Sequence, residues 1–242
     1  MRPLSRTGNY ISARIGRAIA DYKLIEDNDR ILVALSGGKD SLTMLHLLNE
    51  RRKWAPVDYE LIAMHVEAEC SCASCAQKER VKDFCKARGI RCRFAKIKVR
   101  QGNKGVSCFW CSWNRRKALF MAADRLKCNK VALGHHKDDI IETLLLNIFY
   151  QGEFAAMNPR QELFGGKLTI IRPLCYVEEE STRRFAKESS FPSQVCRCPN
   201  SETSKRRVMK DFIRKVEKDC AHVRTNIFRS ISRVNKEYTQ VL

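Results

Sequence analysis

The sequence predicts an α/β fold: an open, doubly wound parallel sheet with helical extensions at its N- and C-terminal ends. Three observations carry this. Short strand-like runs recur at 31–35, 59–66, 93–99 and 131–133, the first of them continuously apolar as in a buried strand. Stretches of helical spacing alternate with them, as in βαβ units. Two strand ends, at 36–41 and 134–139, carry glycines, hydroxyls and carboxylates, and such a sheet binds its ligands beyond the C-terminal ends of its strands.

Residues 9–25 place Ile11, Ile15, Ala18, Ile19 and Tyr22 on one face, with Arg14, Arg17 and Asp21 off it, which predicts an amphipathic helix packed on the domain. Asp27-Asn28-Asp29 turns the chain into the first strand. After the loop at 36–41, Leu42, Met44, Leu45 and Leu48 recur at helical spacing, and residues 51–56 end that helix. Residues 76–88 read as a charged helix, and another helix starts after His136. The expected division is an N-terminal helix over 1–28, a central α/β domain over 29–175, and a C-terminal segment over 176–242. Neither an internal repeat nor a low-complexity segment is present.

Lysine and arginine total 46 against 27 aspartate and glutamate, a formal charge of +19. That balance points to a polyanionic partner, nucleic acid before membrane. Lys205-Arg206-Arg207 opens a C-terminal stretch rich in basic residues. No apolar run approaches the roughly 20 residues of a membrane span. Arg2, Arg6, Arg14 and Arg17 leave no apolar core for a signal peptide, so a soluble, cytoplasmic protein is expected. In a reducing compartment the twelve cysteines point to metal ligands or reactive thiols rather than disulfides. Cys85, Cys92, Cys128, Cys175 and Cys220 stand alone among apolar or helical neighbours and read as small core residues.

Four stretches carry chemistry. The first is Ser36-Gly37-Gly38-Lys39-Asp40-Ser41, between a strand and a helix. A turn through two glycines there gathers backbone N–H groups and a positive helix end, which makes a phosphate cradle. Lysine follows the glycines directly, so this is not the Gly-x-x-x-x-Gly-Lys loop, and Ser41 stands where a dinucleotide fingerprint needs glycine. Ser-Gly-Gly-x-Asp-Ser instead resembles the PP-loop of ATP pyrophosphatases, which split ATP between its α and β phosphates and adenylate a substrate oxygen. The hydroxyls and N–H groups suit the leaving pyrophosphate, and Asp40 suits magnesium.

The second stretch, Cys108-Phe109-Trp110-Cys111 followed by Arg115-Arg116, could be redox-active, half of a zinc site, or part of an iron–sulfur site. Its aromatic residues could stack on a base or simply exclude water. In the third, Gly134-His135-His136-Lys137-Asp138-Asp139, the paired carboxylates could hold magnesium, orient ATP, or serve the helix N-terminus. The fourth, Cys196-Arg197-Cys198-Pro199, sets a thiol before a proline that can open a basic helix.

Together these residues resemble one branch of the PP-loop superfamily, the tRNA 2-thiocytidine synthetases, or tRNA-cytidine(32) 2-sulfurtransferases. The likeness also takes in Ala18-Ile19-Ala20-Asp21-Tyr22, Leu146-Asn147-Ile148-Phe149-Tyr150-Gln151-Gly152, Ile171-Arg172-Pro173-Leu174, Arg184-Phe185-Ala186 and Phe191-Pro192. It implies a PP-loop ATP pyrophosphatase sheet (adenine nucleotide alpha hydrolase-like) and a 4Fe–4S cluster held by Cys108, Cys111 and Cys198, with Cys196 as the alternative third ligand. It implies nucleotide binding by residues 36–41, that is Ser36, Gly37, Gly38, Lys39, Asp40 and Ser41, to which His65 and Gly134 are added. Asp40, Arg115, Asp138 and Asp139 take the ATP and substrate positions. The implied partners are tRNA, a cysteine desulfurase or other sulfur donor, and a second copy of the chain as a homodimer. ATP would adenylate the C2 oxygen of cytidine 32, because AMP leaves far better than a carbonyl oxygen, and sulfur delivered through the cluster would replace it.

Cys70-Ser71-Cys72-Ala73-Ser74-Cys75 departs from the family and reads as a second metal site, a persulfide relay, or incidental loop cysteines. Two rival functions are thiolation of another tRNA base or a small molecule, and a non-catalytic iron–sulfur RNA-binding protein.

Overall fold

In the computed structural model of the chain, residues 3–68, 74–98, 108–192, 205–235 and 237 are described. The apolar run after Asp29 forms β1 (Asp29–Leu35), and its parallel partner is β2 (Tyr59–Ala68), in register from Asp29 against Tyr59 to Leu35 against His65. With β3 (Arg91–Ile97), β4 (Lys130–Ala132), β5 (Arg160–Leu163) and β6 (Leu168–Ile171) they make a six-stranded sheet in the order β3-β2-β1-β4-β6-β5. All pairings are parallel except β5 with β6. The hairpin of β5 and β6 was not anticipated from the sequence. Its two four-residue strands are too short for a clear alternation, though Phe164-Gly165-Gly166, all at positive φ, marks the turn.

Strand order reverses beside β1: β2 and β3 build outward on one side, and β4 begins the other. In an open α/β sheet such a reversal opens a crevice at the carboxyl ends of the two flanking strands. Here those ends are the loop after Leu35 and the loop after Ala132.

Helices cover both faces of the sheet. Leu32, Ile62, Met64, Val66, Val131 and Leu133 pack with Leu119 and Ala123 of α4 (Cys108–Arg125) in one core. Ile31 and Val33 alternate with Leu32 and turn to the opposite face, where α2 (Lys39–Arg51) packs on β1 and buries Leu42, Leu45 and Leu48. Each such buried side chain contributes roughly 1.5–3 kcal/mol. α1 (Arg6–Tyr22) is packed, as its pattern predicts: Ile11, Ile15 and Ala18 are buried, and the Ser5 hydroxyl caps it by accepting the Gly8 N–H at 3.1 Å. α3 (Ser74–Lys86) joins β2 to β3, and Cys85 and Cys92, read singly as core residues, act on each other, the pair's interaction raising the pKa of Cys85 and lowering that of Cys92.

Contacts divide the chain into two compact units, one of Met1–His136 with Pro159–Cys198, the other of Lys137–Asn158 with Pro199–Leu242. α1, the sheet and α6 (Glu179–Glu188) belong to the first unit. The second combines α5 (Lys137–Gln151) with α7 (Lys205–Val216) and α8 (Val223–Ser230), around Ile141, Leu145, Met209, Ile213 and Val223.

Candidate active site

The phosphate loop sits where the strand order reverses. Gly37 takes φ +81°, a conformation that costs a side-chain-bearing residue strain, so the first glycine is required by the turn. Its carbonyl accepts the buried Gln77 side-chain amide at 3.1 Å, which ties the loop to α3. Gly38 then occupies the N-cap of α2 with no side-chain cap, leaving N–H groups of the first turn to a ligand. Ser36 and Ser41 lie across the loop with their hydroxyls 3.1 Å apart, and the Ser41 hydroxyl donates to the Gly38 carbonyl at 2.9 Å.

Gly134 makes the second wall. A Cβ there would lie 3.1 Å from both the N and Cα of Ser41, so the end of β4 approaches the start of α2 as closely as a glycine allows. A cleft of about 450 Å³ follows, lined by Ser36, Asp40, Ser41, Met64, Val66, Leu133, Gly134 and His135 from the sheet side. Cys111, Ser112, Arg115, Arg116 and Leu119 of α4 line the other side. Its charged lining consists of two arginines and one aspartate, which favours an anionic occupant. A larger cleft of about 610 Å³ opens at the strand starts, beside Arg30, Asp58 and Glu60, which is the wrong edge for ligands of a parallel sheet.

Asp40 is held on several sides. Thr182 of α6 donates to its Oδ1 at 2.5 Å, Lys39 Nζ donates to its Oδ2 at 2.9 Å, and His136 Nε2 lies 4.0 Å from Oδ2. Lys39 also reaches Glu179 Oε1 at 3.1 Å. Burial works against the lysine's charge, but the neighbouring Asp40 and Glu179 outweigh it and raise its pKa. Thr182, Glu179, Gln77 and Arg116 were not singled out as site residues from the sequence. Only Arg116 carried a local signal, as the second arginine after the cysteine pair.

Cys111 is one of the expected cluster ligands and stands on the cleft wall with the phosphate loop. Cys108 opens the same helix, one turn earlier. Cys196 and Cys198 lie outside the described residues, as do Cys70 and Cys72, while Cys75 falls in the first turn of α3. Among the described residues no group of three or more metal-ligating side chains forms. Trp110 and Trp113 stack on each other, with ring centroids 5.4 Å apart, and Phe109 projects outward at 77% exposure.

His65 alternates with the cleft-lining Met64 and Val66 and so turns to the other face of β2. There its Nδ1–H donates to the Leu35 carbonyl at 2.7 Å, and burial depresses its pKa, with that carbonyl partly offsetting the effect. It braces the strand end from which the phosphate loop springs.

Asp138 and Asp139 occupy the first turn of α5, where carboxylates favour the helix dipole. Both have arginine partners within the second unit. Arg224 donates to Asp138 Oδ1 at 2.6 Å and Arg206 to Asp139 Oδ1 at 3.0 Å, the latter also reaching Glu142 at 3.2 Å.

Residues 9–215 match the model of the PP-loop domain family. The chain is 39% identical to a tRNA-cytidine(32) 2-sulfurtransferase of Geotalea uraniireducens over 236 residues, covering 94% of this chain and 92% of that one. It is 40% identical to the protein of that name from Geobacter sulfurreducens, over 94% and 91% of the two chains. Among solved structures it is similar to the U34-tRNA thiolase of Methanococcus maripaludis with its 4Fe–4S cluster, at a TM-score of 0.79 and 23% identity, covering 94% of this chain and 78% of that one. The NH3-dependent NAD synthetase of Campylobacter jejuni matches at a TM-score of 0.50 and 14% identity, over 95% and 89%. These two likenesses establish the fold.

Proposed function

Because the chain belongs to the tRNA-cytidine(32) 2-sulfurtransferase family of PP-loop proteins, we propose that it thiolates tRNA in an ATP-dependent reaction, converting cytidine 32 of the anticodon loop to 2-thiocytidine. The observation that carries this reading is the sharing of one cleft by the phosphate loop and Cys111.

ATP enters with its phosphates at the uncapped start of α2. There the backbone N–H groups and the Ser36 and Ser41 hydroxyls hold the pyrophosphate that leaves as the C2 oxygen is adenylated. The close contact of Gly134 with Ser41 leaves the cradle open for phosphate, which fits such a group. Asp40 is the carboxylate of this cleft and the residue that would hold magnesium, whose charge would offset that of the pyrophosphate. Of Asp40, Asp138 and Asp139, Asp40 is the one that lines the cleft, so the reading gives magnesium to Asp40. Arg115, with Arg116 beside it, faces the anionic adenylate and the RNA backbone. The target base must leave its stack to bring C2 into the cleft.

A soft thiolate donor on the cleft wall fits an iron–sulfur cluster, with Cys111, Cys108 and Cys198 as the residues that would hold it. When bound, the cluster supplies an iron open to a sulfur ligand. A cysteine desulfurase or other sulfur donor, a homodimer, and a cytoplasmic location complete the proposal. Among the described residues no helix is long and apolar enough to cross a membrane.

The test is the nucleoside profile of tRNA from a deletion strain, with and without the gene restored, beside AMP release by purified protein given tRNA. Loss and recovery of 2-thiocytidine with ATP-to-AMP turnover is the expected result. An unchanged 2-thiocytidine level overturns the reading, and loss of a 2-thiouridine instead moves it to another base.

A further inference from the structure

One face of α7 has no part in the cleft. Lys205, Val208, Phe212 and Lys215 stand at i, i+3, i+7 and i+10, a single stripe of the helix. Met209 and Ile213, about 100° around the helix from the stripe, are buried in the core of the second unit. The stripe stays outside that core, with Val208 54% and Phe212 43% exposed.

The end of α5 widens it. Phe149, 57% exposed, meets Phe212 edge-on with ring centroids 5.9 Å apart. Tyr150 lies under Lys205, whose Nζ is 4.4 Å from the ring centre. Asp211, the one acid of α7, sits beside this face between Arg207 at 3.0 Å and Arg214 at 3.3 Å. The surface thus combines exposed aromatic rings with a net positive charge, since Asp211 stands against Lys205, Arg207, Arg214 and Lys215.

We propose that this face of α5 and α7 is a docking surface for tRNA, taking backbone phosphates on Lys205 and Lys215 and an unstacked base against Phe149 and Phe212. It rests on tRNA being the substrate. The lysines bracket the aromatic stripe at a spacing of about 15 Å along the helix. Exposed rings accept any base by its π-face, and flanking cations follow the backbone, which is how proteins grip unpaired nucleotides. The formal charge of +19 matches a polyanion. A second copy of the chain fits less well, because lysines are depleted from protein–protein interfaces and here they stand at both ends of the stripe.

The experiment measures binding of a tRNA transcript to the full chain by fluorescence anisotropy over a salt series. Lys205→Gln with Lys215→Gln removes two phosphate contacts and should flatten the log–log salt slope by about 1.4 to 1.8. Phe149→Ala with Phe212→Ala should weaken binding at fixed salt by at least about fivefold and leave the slope alone. Thermal melts report folding, and should the aromatic variant unfold, the exposed lysine pair decides alone. Failure of the wild type to bind tRNA overturns the substrate reading. If the wild type binds and the folded variants bind as tightly with the same slope, the surface assignment falls and the substrate reading stands. Variants that change the sedimentation mass while keeping tRNA affinity would make the face an interface between copies of this chain, which also overturns the proposal.

Discussion

The hydroxyl of Thr182 donates to Asp40 Oδ1 at 2.5 Å, joining residues 142 positions apart in the chain. It has one proton, and this shorter contact takes it in preference to the Glu179 carbonyl at 2.8 Å. The completely buried Thr182 thereby fixes the carboxylate that the proposed reaction uses. Asp40→Ala should abolish AMP formation while the protein stays folded. Thr182→Val keeps the side-chain shape and removes only the donor, so it should cost roughly 1.5–3 kcal/mol of stability and raise the magnesium requirement. Thr182→Ser should restore both. Urea unfolding and AMP release against magnesium concentration measure them. A Thr182→Val enzyme with unchanged magnesium dependence would leave the threonine a purely structural role.

Gly134 makes a different test of the same loop. Adding a methyl group there meets backbone rather than a flexible side chain, so the start of α2 must move by tenths of an ångström. Gly134→Ala should cost about 1–3 kcal/mol of overpacking, appearing mainly as weaker ATP binding. Isothermal titration with a non-hydrolysable analogue reads this directly. Affinity equal to that of the wild type would show that the cradle tolerates the shift.

What was legible in the sequence is local. The phosphate loop reads out because its glycines, hydroxyls and flanking apolar runs are contiguous, and β1, β2 and β4 read out because central parallel strands are uniformly apolar. β3 was expected at 93–99 and lies at 91–97, its exposed edge giving the pattern less contrast. The partners of the site residues were not legible. Lys39 meets Glu179 across 140 positions, and Asp138 meets Arg224 across 86, distances over which no local periodicity speaks. The same carboxylate pair that suggested a metal site is equally what a helix start facing arginines requires.

A pH effect follows from His46. Burial and then the Arg88 guanidinium depress its pKa to about 4, and Arg88 Nε donates to its Nδ1 at 3.1 Å, so the folded ring is neutral. The unfolded chain takes up this proton from about pH 6.5 downward. Between pH 6.5 and 4 the unfolded state therefore binds more protons, and stability falls as pH falls. Below about 4 the loss levels off. Urea midpoints from pH 7.5 to 4.5 should show the decline, and a His46→Phe variant should show less of it. Equal slopes in both proteins would assign the decline to other groups.

The Asp138–Arg224 pair is nearly buried, with side-chain exposures of 7% and 19%. Removing one member of such a pair leaves a charge without its counter-ion and costs about 3–5 kcal/mol. Arg224→Gln should therefore destabilise the second unit, as seen by faster hydrogen exchange in α5, α7 and α8. Asp138→Asn should do so less, because the amide still accepts from Arg224. If Arg224→Gln leaves exchange unchanged while Asp138→Asn stops AMP formation, Asp138 acts on the nucleotide instead.

The cysteines give the sharpest division. Cys111 stands on the wall of the cleft that holds Ser36, Asp40 and Ser41, and Cys108 begins the same helix one turn before it. Sulfur transfer requires reacting atoms to approach within about 3–3.5 Å, so cluster ligands belong beside the phosphate loop. On anaerobically reconstituted protein, alanine at Cys108, Cys111 or Cys198 should bleach the visible absorbance, lower the iron content and stop thiolation, while ATP still binds. Alanine at Cys70, Cys72 or Cys75 should leave the absorbance in place, whatever it does to turnover. A full cluster in Cys198→Ala with loss in Cys196→Ala would transfer the third ligand to Cys196. Iron lost only from the Cys70, Cys72 and Cys75 variants would detach the cluster from the cleft, and the proposed route of sulfur would fail with it.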